Sequence, residues 1–297
     1  MYVLNLIRWK NLLILIFSAM LIRFSLLPGF GVVPELSLIH HSLLIFAVVC
    51  FGAGGNIIND FFDIATDSIN RTDKLIVDKH ISRQTTLFLY GLANLLGLAS
   101  IFYLFLVLAY KDIALVFYIL VCSPLLLASY SIWLKRKALL GNILVSVLVG
   151  LSFFCLGSVL IDQDRHPVAF FAICVYSVLA FLINLCRELI KDAEDIRGDY
   201  YCNMTTLPIL IGKKRTNYLA FGLINLTVLF AMSIVLTYFL NLNAFIFYVF
   251  SLVIIPLILI SRKLLGAKTE KDYKRISFHL KLVFLSGIGS MLTFLFL

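Results

Sequence analysis

Two clusters of carboxylates stand at the ends of very apolar stretches: Asn59-Asp60-Phe61-Phe62-Asp63-Ile64-Ala65-Thr66-Asp67 and Asp192-Ala193-Glu194-Asp195-Ile196-Arg197-Gly198-Asp199. Asn59, Asp63 and Asp67 fall at i, i+4 and i+8, so on a helix their side chains make one slowly drifting stripe, with Asp60 pointing elsewhere. Asp192, Asp195 and Asp199, at i, i+3 and i+7, make a second stripe, with Glu194 off it. Carboxylates massed in this way repel one another unless cations neutralise them. Hard oxygen ligands that share the work with a phosphate are what magnesium prefers. Ionisable groups within or beside membrane segments are costly and mark functional sites. The two stripes therefore read as a divided site for a divalent metal and a polyanion. Solvated helix ends with scattered charge would explain one such cluster but not two alike.

A diphosphate held by metal on one side needs donors on the other. Arg8 and Asn11 open the first apolar segment, and Arg71, Lys74, Lys79 and Arg83 follow the first acid cluster. Tyr130, Ser131 and Lys135 close the fourth segment, and Arg187 and Lys191 precede the second cluster. Each cation could equally anchor the topology, and Lys135-Arg136-Lys137 is an ordinary basic triplet after a span.

The elements that carry these residues must lie in a bilayer. The 297 residues are 62% hydrophobic and only 14% charged, against about a quarter charged in a soluble domain. The mean hydropathy is +1.02. Apolar segments of span length run over 11–28, 37–58, 85–109, 113–134, 139–160, 168–190, 216–239, 243–262 and 277–297. None alternates like a barrel strand, which predicts an all-α, multi-pass bundle of nine transmembrane helices formed by residues 1–297 as one domain. Regions 59–84 and 191–215, long and charged, are predicted to be catalytic loops on one side. The same side holds every lysine and arginine except Arg23, Lys111 and Arg165. The positive-inside rule therefore puts both acid clusters at the cytoplasmic face of a plasma (inner) membrane.

The net charge of +9 suits an anionic leaflet or substrate. Its spread over membrane loops excludes nucleic acid as a partner. The six cysteines are scattered and form neither a disulfide framework nor a zinc site. The 26 Phe and 13 Tyr furnish an interior compatible with a prenyl tail. Gly52, Gly54 and Gly55 read as close-packing positions, and His40-His41 as a pair in an exterior loop.

At these motifs the chain resembles the UbiA-type intramembrane prenyltransferase superfamily. Asn59, Asp63 and Asp67 match its NxxxDxxxD motif, and Asp195 and Asp199, with Asp192 upstream, match its second, DxxxD motif. Asn70-Arg71-Thr72-Asp73-Lys74 resembles the Asn-x-Pro-Asp-Arg run, with Thr72 for proline and Lys74 for arginine. Tyr130 to Lys135 approximates YxxxK with one residue too many, and Thr206-Leu207-Pro208 with Gly212 also look familial. Within that superfamily, Ile7-Arg8-Trp9-Lys10-Asn11, Tyr130-Ser131 and Gly141-Asn142 resemble the branch acting on geranylgeranylglycerol phosphate.

The resemblance implies Mg2+-dependent transfer of a polyprenyl group from an isoprenyl diphosphate donor to a lipophilic acceptor. That acceptor would be geranylgeranylglycerol phosphate or an aromatic ring of a quinone- or haem-type precursor. Asn59, Asp63, Asp67, Asp192, Asp195 and Asp199 would hold metal, with Asp63, Asp67, Asp192 and Asp195 catalytic. Arg8, Asn11, Lys74, Tyr130, Lys135, Arg187 and Lys191 would hold the diphosphate.

Two other classes fit less well. A CDP-alcohol phosphotransferase needs a glycine after Asp60-Phe61-Phe62-Asp63, where Ile64 stands. A cation-coupled transporter wants charge near the bilayer midplane, where these spans are expected to offer only apolar and aromatic side chains.

Overall fold

The computed structural model of the chain describes residues 1–70, 75–108, 111–240 and 242–296, with backbone alone at 111 and 112. Among the described residues, nine helices are long and apolar enough to cross a membrane. The chain is thus a multi-pass membrane protein. The spans are Trp9–Gly29, Leu38–Phe62, Arg83–Leu108, Ile113–Ile132, Leu140–Ser158, Pro167–Tyr201, Lys213–Tyr238, Asn243–Leu265 and Glu270–Phe296, called here the first to ninth spans. Helices are the only way an open segment can satisfy its backbone in lipid. No strand forms among the described residues; two isolated bridges, Val77 with Ile81 and Lys137 with Thr205, are the only extended pairings there.

The sixth span is the axis of the arrangement. It packs on the fifth, seventh and ninth, while the second packs on the third and fourth. Glycines on the second span permit the close approach expected of them. A Cβ at Gly52 would meet Leu12 of the first span, at Gly54 Asn94 of the third, and at Gly55 Leu127 of the fourth. The core between these helices is aliphatic, with Leu44, Ile101, Leu104 and Leu156 wholly buried.

The regions expected as catalytic loops are largely helical, and this positions the site. The sixth helix runs for 35 residues, about 52 Å at 1.5 Å per residue, so it continues well past the thickness of a bilayer. Its second half carries the acids at helical spacing and continues where hydropathy stops. In the first region, the second span ends at Phe62 and a short helix, Ile64–Asn70, follows at once. Beyond it, Val77 and Ile81 tuck into a small apolar cluster with Leu6 and Ile57.

His40 and His41 are likewise not in a loop. Ser37 accepts the His40 backbone N–H at 3.2 Å and starts the second helix before them. His41 is fully buried, its Nε2–H donating to the Leu156 carbonyl at 3.3 Å.

Candidate active site

Both acid stripes reach one cavity because two helix ends meet there. Asp63 is the hinge of the first stripe. It caps the second span with φ −91° and ψ 3°, its N–H still bonded to Asn59 O, and its own carbonyl receives the Asp67 N–H at 2.7 Å. The short helix is thereby turned onto the sixth span. Asn70 fastens it: its Nδ2 donates to the Asp195 carbonyl and its Oδ1 accepts the Gly198 N–H, each at 2.9 Å. Gly198 leaves room for the contact, since a Cβ there would lie 2.4 Å from Asn70 Nδ2 and 2.8 Å from the Thr66 carbonyl.

The resulting cavity, about 80 Å³, is lined by Asp63, Asp67, Asp192, Asp195, Asp199 and Asn59. All six residues expected as metal ligands thus face one space. Asp199 is buried and Asp192 partly so, the latter accepting from Asn142 Nδ2 at 2.8 Å. Asn59 Nδ2 donates to Asp63 Oδ2 at 2.7 Å, while Asn59 Oδ1 is buried without a hydrogen-bond partner. The Lys135 ammonium pairs with Asp63 Oδ1. An orphaned carbonyl oxygen, a ring of carboxylates and an ammonium drawn among them fit a hard cation. Among the described residues, no three His, Cys, Asp or Glu side chains close tightly enough to enclose an ion unaided. An ion held here would complete its shell with water and ligand oxygens, as magnesium habitually does.

The expected diphosphate donors divide. Arg8, Tyr130, Lys135 and Lys191 line the carboxylate cavity. The fourth helix ends at Ile132 and a 3₁₀ turn follows over Leu134–Arg136, so the extra residue between Tyr130 and Lys135 is absorbed by the turn. The same loop is tied to the one after the sixth span, where the Thr205 N–H and hydroxyl both donate to the Arg136 carbonyl at 2.8 Å. Asn11 and Arg187 line instead a neighbouring, larger cavity of about 310 Å³, walled mostly by aliphatic and aromatic side chains of the first, second, fourth, fifth, sixth and ninth spans. Arg8, Asn59, Tyr130, Glu188 and Lys191 line both cavities and form the passage between them. Lys74 and Arg71 lie outside the described residues. Arg83 does not reach either cavity; it grips Asp78 through two nitrogens at 2.6–3.0 Å.

Arg8 sits in a left-handed backbone conformation, φ 54° and ψ 50°, immediately before the first span. This aims its guanidinium at Asp60, with Nη2 to Oδ1 at 2.7 Å. Burial alone would weaken its protonation. The charge and hydrogen bond of Asp60, with Asp63 and Glu188 beyond, outweigh that and hold Arg8 firmly cationic, above its ordinary range. Asp60, off the stripe as expected, is therefore an anchor for Arg8.

The polar residues at the site that sequence reasoning did not assign to it include Glu188, Thr206 and Lys281. Glu188 is buried in the passage, bonded to Arg187 at 3.2 Å and to Lys191 at 3.4 Å. Its place between two cations was a usable signal. Thr206 closes the carboxylate cavity beside Asp199. Lys281, counted from sequence only among the cations on the side of the acid clusters, stands in the ninth span and lines the larger cavity. Its helix starts at Glu270, seven residues before the apolar stretch, because Thr269 and Asp272 form a capping box.

Residues 8–287 match the profile of the UbiA prenyltransferase family. Digeranylgeranylglyceryl phosphate synthases of Methanothermobacter thermautotrophicus and Thermococcus kodakarensis are 37% and 34% identical to the chain, over 60% and 72% of its length. The chain spans 59% of the first relative's length and 69% of the second's. A solved structure described as digeranylgeranylglyceryl phosphate synthase in membranes superposes with a TM-score of 0.69 at 24% identity, covering 98% of both chains. A UbiA homologue from Archaeoglobus fulgidus, bound to DMAPP and Mg2+, gives 0.62 at 15% identity, covering 98% of this chain and 99% of that one. At such identities the structural likeness establishes the fold.

Proposed function

Since the chain belongs to the UbiA prenyltransferase family, we propose that it transfers a polyprenyl group from an isoprenyl diphosphate to a lipophilic acceptor in a magnesium-dependent reaction, the acceptor being geranylgeranylglyceryl phosphate. The observation that carries this reading is the joining of two unlike cavities. One is small and acidic, the other large and apolar, and Arg8, Asn59, Tyr130, Glu188 and Lys191 are common to both. A donor with a diphosphate head and a hydrocarbon tail has that same division. Residues 1–297 act as one catalytic domain in this reading, because the larger cavity takes walls from the first and the ninth spans alike.

Asn59, Asp63, Asp67, Asp192, Asp195 and Asp199 would hold the magnesium, with diphosphate oxygens completing the shell. Magnesium bound there would neutralise the diphosphate and make it a better leaving group. Lys135, Lys191, Arg8 and the Tyr130 hydroxyl donate to the oxygens the metal leaves free. The bond from prenyl C1 to the diphosphate oxygen breaks, and its electron pair departs with the diphosphate. Aromatic and aliphatic walls shield the allylic cation from water. The acceptor hydroxyl oxygen then bonds to C1, and its proton passes to the departing diphosphate. Catalysis of this kind rests on stabilising the charge that develops on the leaving group.

The acid clusters face the cytoplasm in this reading. The support is the bias of lysine and arginine toward the ends of the spans that carry them. Cysteine labelling of Thr205→Cys in right-side-out and inverted vesicles tests the orientation; labelling confined to right-side-out vesicles would reverse it.

The test of the activity is incubation of purified protein with magnesium, labelled geranylgeranyl diphosphate and an acceptor panel, read by lipid mass spectrometry. The expected product is the ether of the glyceryl phosphate. Release of no diphosphate with any acceptor defeats the proposal, and a product from an aromatic acceptor alone replaces the acceptor.

A further inference from the structure

The larger cavity holds positive charge that the donor site does not use. Asn11, Arg187 and Lys281 line it without lining the carboxylate cavity. Lys281 is three turns into the ninth span, where its Nζ donates to Asn11 Oδ1 at 2.6 Å. Its charged neighbours are themselves cations, Arg187 and Lys10. Among the described residues no carboxylate forms an ion pair with Lys281. Arg187 gives Nη1 to Glu188, but its Nε is buried and makes no hydrogen bond. Glu188 is the one carboxylate lining this cavity among the described residues, and both its oxygens are taken, by Arg187 and by Lys191.

Cations inside a membrane protein are costly and pair with something. Here two of them stand together with an amide and an unused N–H, on the wall of a space lined mostly by aliphatic and aromatic side chains. That combination is complementary to a lipid bearing a compact anion.

We infer that Arg187, Lys281 and Asn11 bind an anionic headgroup, of phosphate-monoester type, carried by the acceptor lipid. The inference rests on the transferase reading and gives the acceptor a site of its own. Asn11 and Arg187, taken from sequence as diphosphate ligands, are thereby reassigned, and the donor keeps Lys135, Lys191, Arg8 and Tyr130. The acceptor is anchored in the large cavity by its charge, with its hydroxyl left in the space that adjoins the carboxylates. A neutral alcohol with the same chain lacks that anchor.

The experiment uses the full chain in nanodiscs and reads binding, so that it does not depend on turnover. In EDTA, geranylgeranylglyceryl phosphate, the unphosphorylated geranylgeranylglycerol and inorganic phosphate are each titrated. The phosphorylated lipid is expected to bind at least about ten-fold more tightly than either other probe, in keeping with a charge-assisted hydrogen bond. Lys281→Gln and Arg187→Gln should each remove most of that margin, whereas Lys281→Arg should keep it. Geranylgeranyl diphosphate binding with magnesium should respond far less to Lys281→Gln. Size-exclusion profiles identical to the parent's show that the variants fold. Equal affinity for the phosphorylated and neutral lipids overturns the proposal. So does tight binding of inorganic phosphate alone, which makes this a free-phosphate site, or a loss of donor binding as large as the loss of acceptor. A parent protein that releases no diphosphate with any acceptor sinks the transferase reading, while the titration still decides the headgroup site.

Discussion

Asn70 clasps the sixth span at Gly198: its side-chain oxygen takes the Gly198 N–H at 2.9 Å and its amide reaches the Asp195 carbonyl at 2.9 Å. One amide group thus joins the short helix that carries Asp67 to the helix that carries Asp195 and Asp199. The spacing of the two acid stripes depends on that join as well as on the carboxylates.

Gly198→Ala is accordingly expected to damage the enzyme without touching an acid. Its Cβ would meet Asn70 Nδ2 at 2.4 Å and the Thr66 carbonyl at 2.8 Å. The Asn70 side chain can swing aside, but the Thr66 backbone moves only with its whole helix. Turnover should fall by at least about ten-fold, since a misplacement of about 1 Å at a reacting centre can cost about 10²-fold. Asn70→Ala should lose two hydrogen bonds, each worth about 1 kcal/mol net, and melt a few degrees lower. Steady-state kinetics and thermal unfolding check both, and a fully active Gly198→Ala enzyme would show that the join is dispensable.

The carboxylates themselves should be far more sensitive. Asp63→Ala and Asp195→Ala are expected to cost at least about 10²-fold in kcat, since metal stabilisation of a leaving group is worth several kcal/mol. EDTA should abolish turnover, and magnesium should restore it. Asp78→Asn is the control: Asp78 holds Arg83 away from both cavities, and asparagine tolerates its φ of 68°. Its activity should stay near the parent's. Full activity in EDTA would end the metal proposal.

Asn142 offers a finer probe, because it donates to Asp192 Oδ2 at 2.8 Å from a buried position. Asn142→Leu leaves that carboxylate without its orienting bond, a loss of about 1.5–3 kcal/mol for a hydrogen bond to a charged group. The magnesium concentration for half-maximal activity should rise, with kcat at saturating magnesium less affected. An unchanged magnesium curve would mean that Asp192 needs no such support.

Arg8 separates backbone strain from charge. Its φ of 54° costs a non-glycine residue about 1–2 kcal/mol. Arg8→Gly should therefore melt higher than Arg8→Ala, although both lose the bond to Asp60. Both should also bind donor more weakly than the parent. Equal melting of the two variants would show that the conformation relaxes once the guanidinium is gone.

Much of this was determined by the sequence alone. Nine spans, their near boundaries and their helical state follow from hydropathy and from the need to satisfy backbone in lipid. The stripes at Asn59-Asp63-Asp67 and Asp192-Asp195-Asp199 follow from helical periodicity, which is local. Tertiary structure decided what periodicity cannot reach. Only packing brings Asn70 to Gly198, Asn142 to Asp192 and Arg8 to Asp60, pairs separated by 128, 50 and 52 residues. Continuation of the sixth helix past its apolar limit, and a separate short helix at Ile64–Asn70, turned parts of two expected loops into walls of the cavity. Burial of His41 and the placement of Lys281 on the wall of the larger cavity were likewise hidden. A side chain's environment depends on which face its helix turns inward, and neighbouring helices set that rotation.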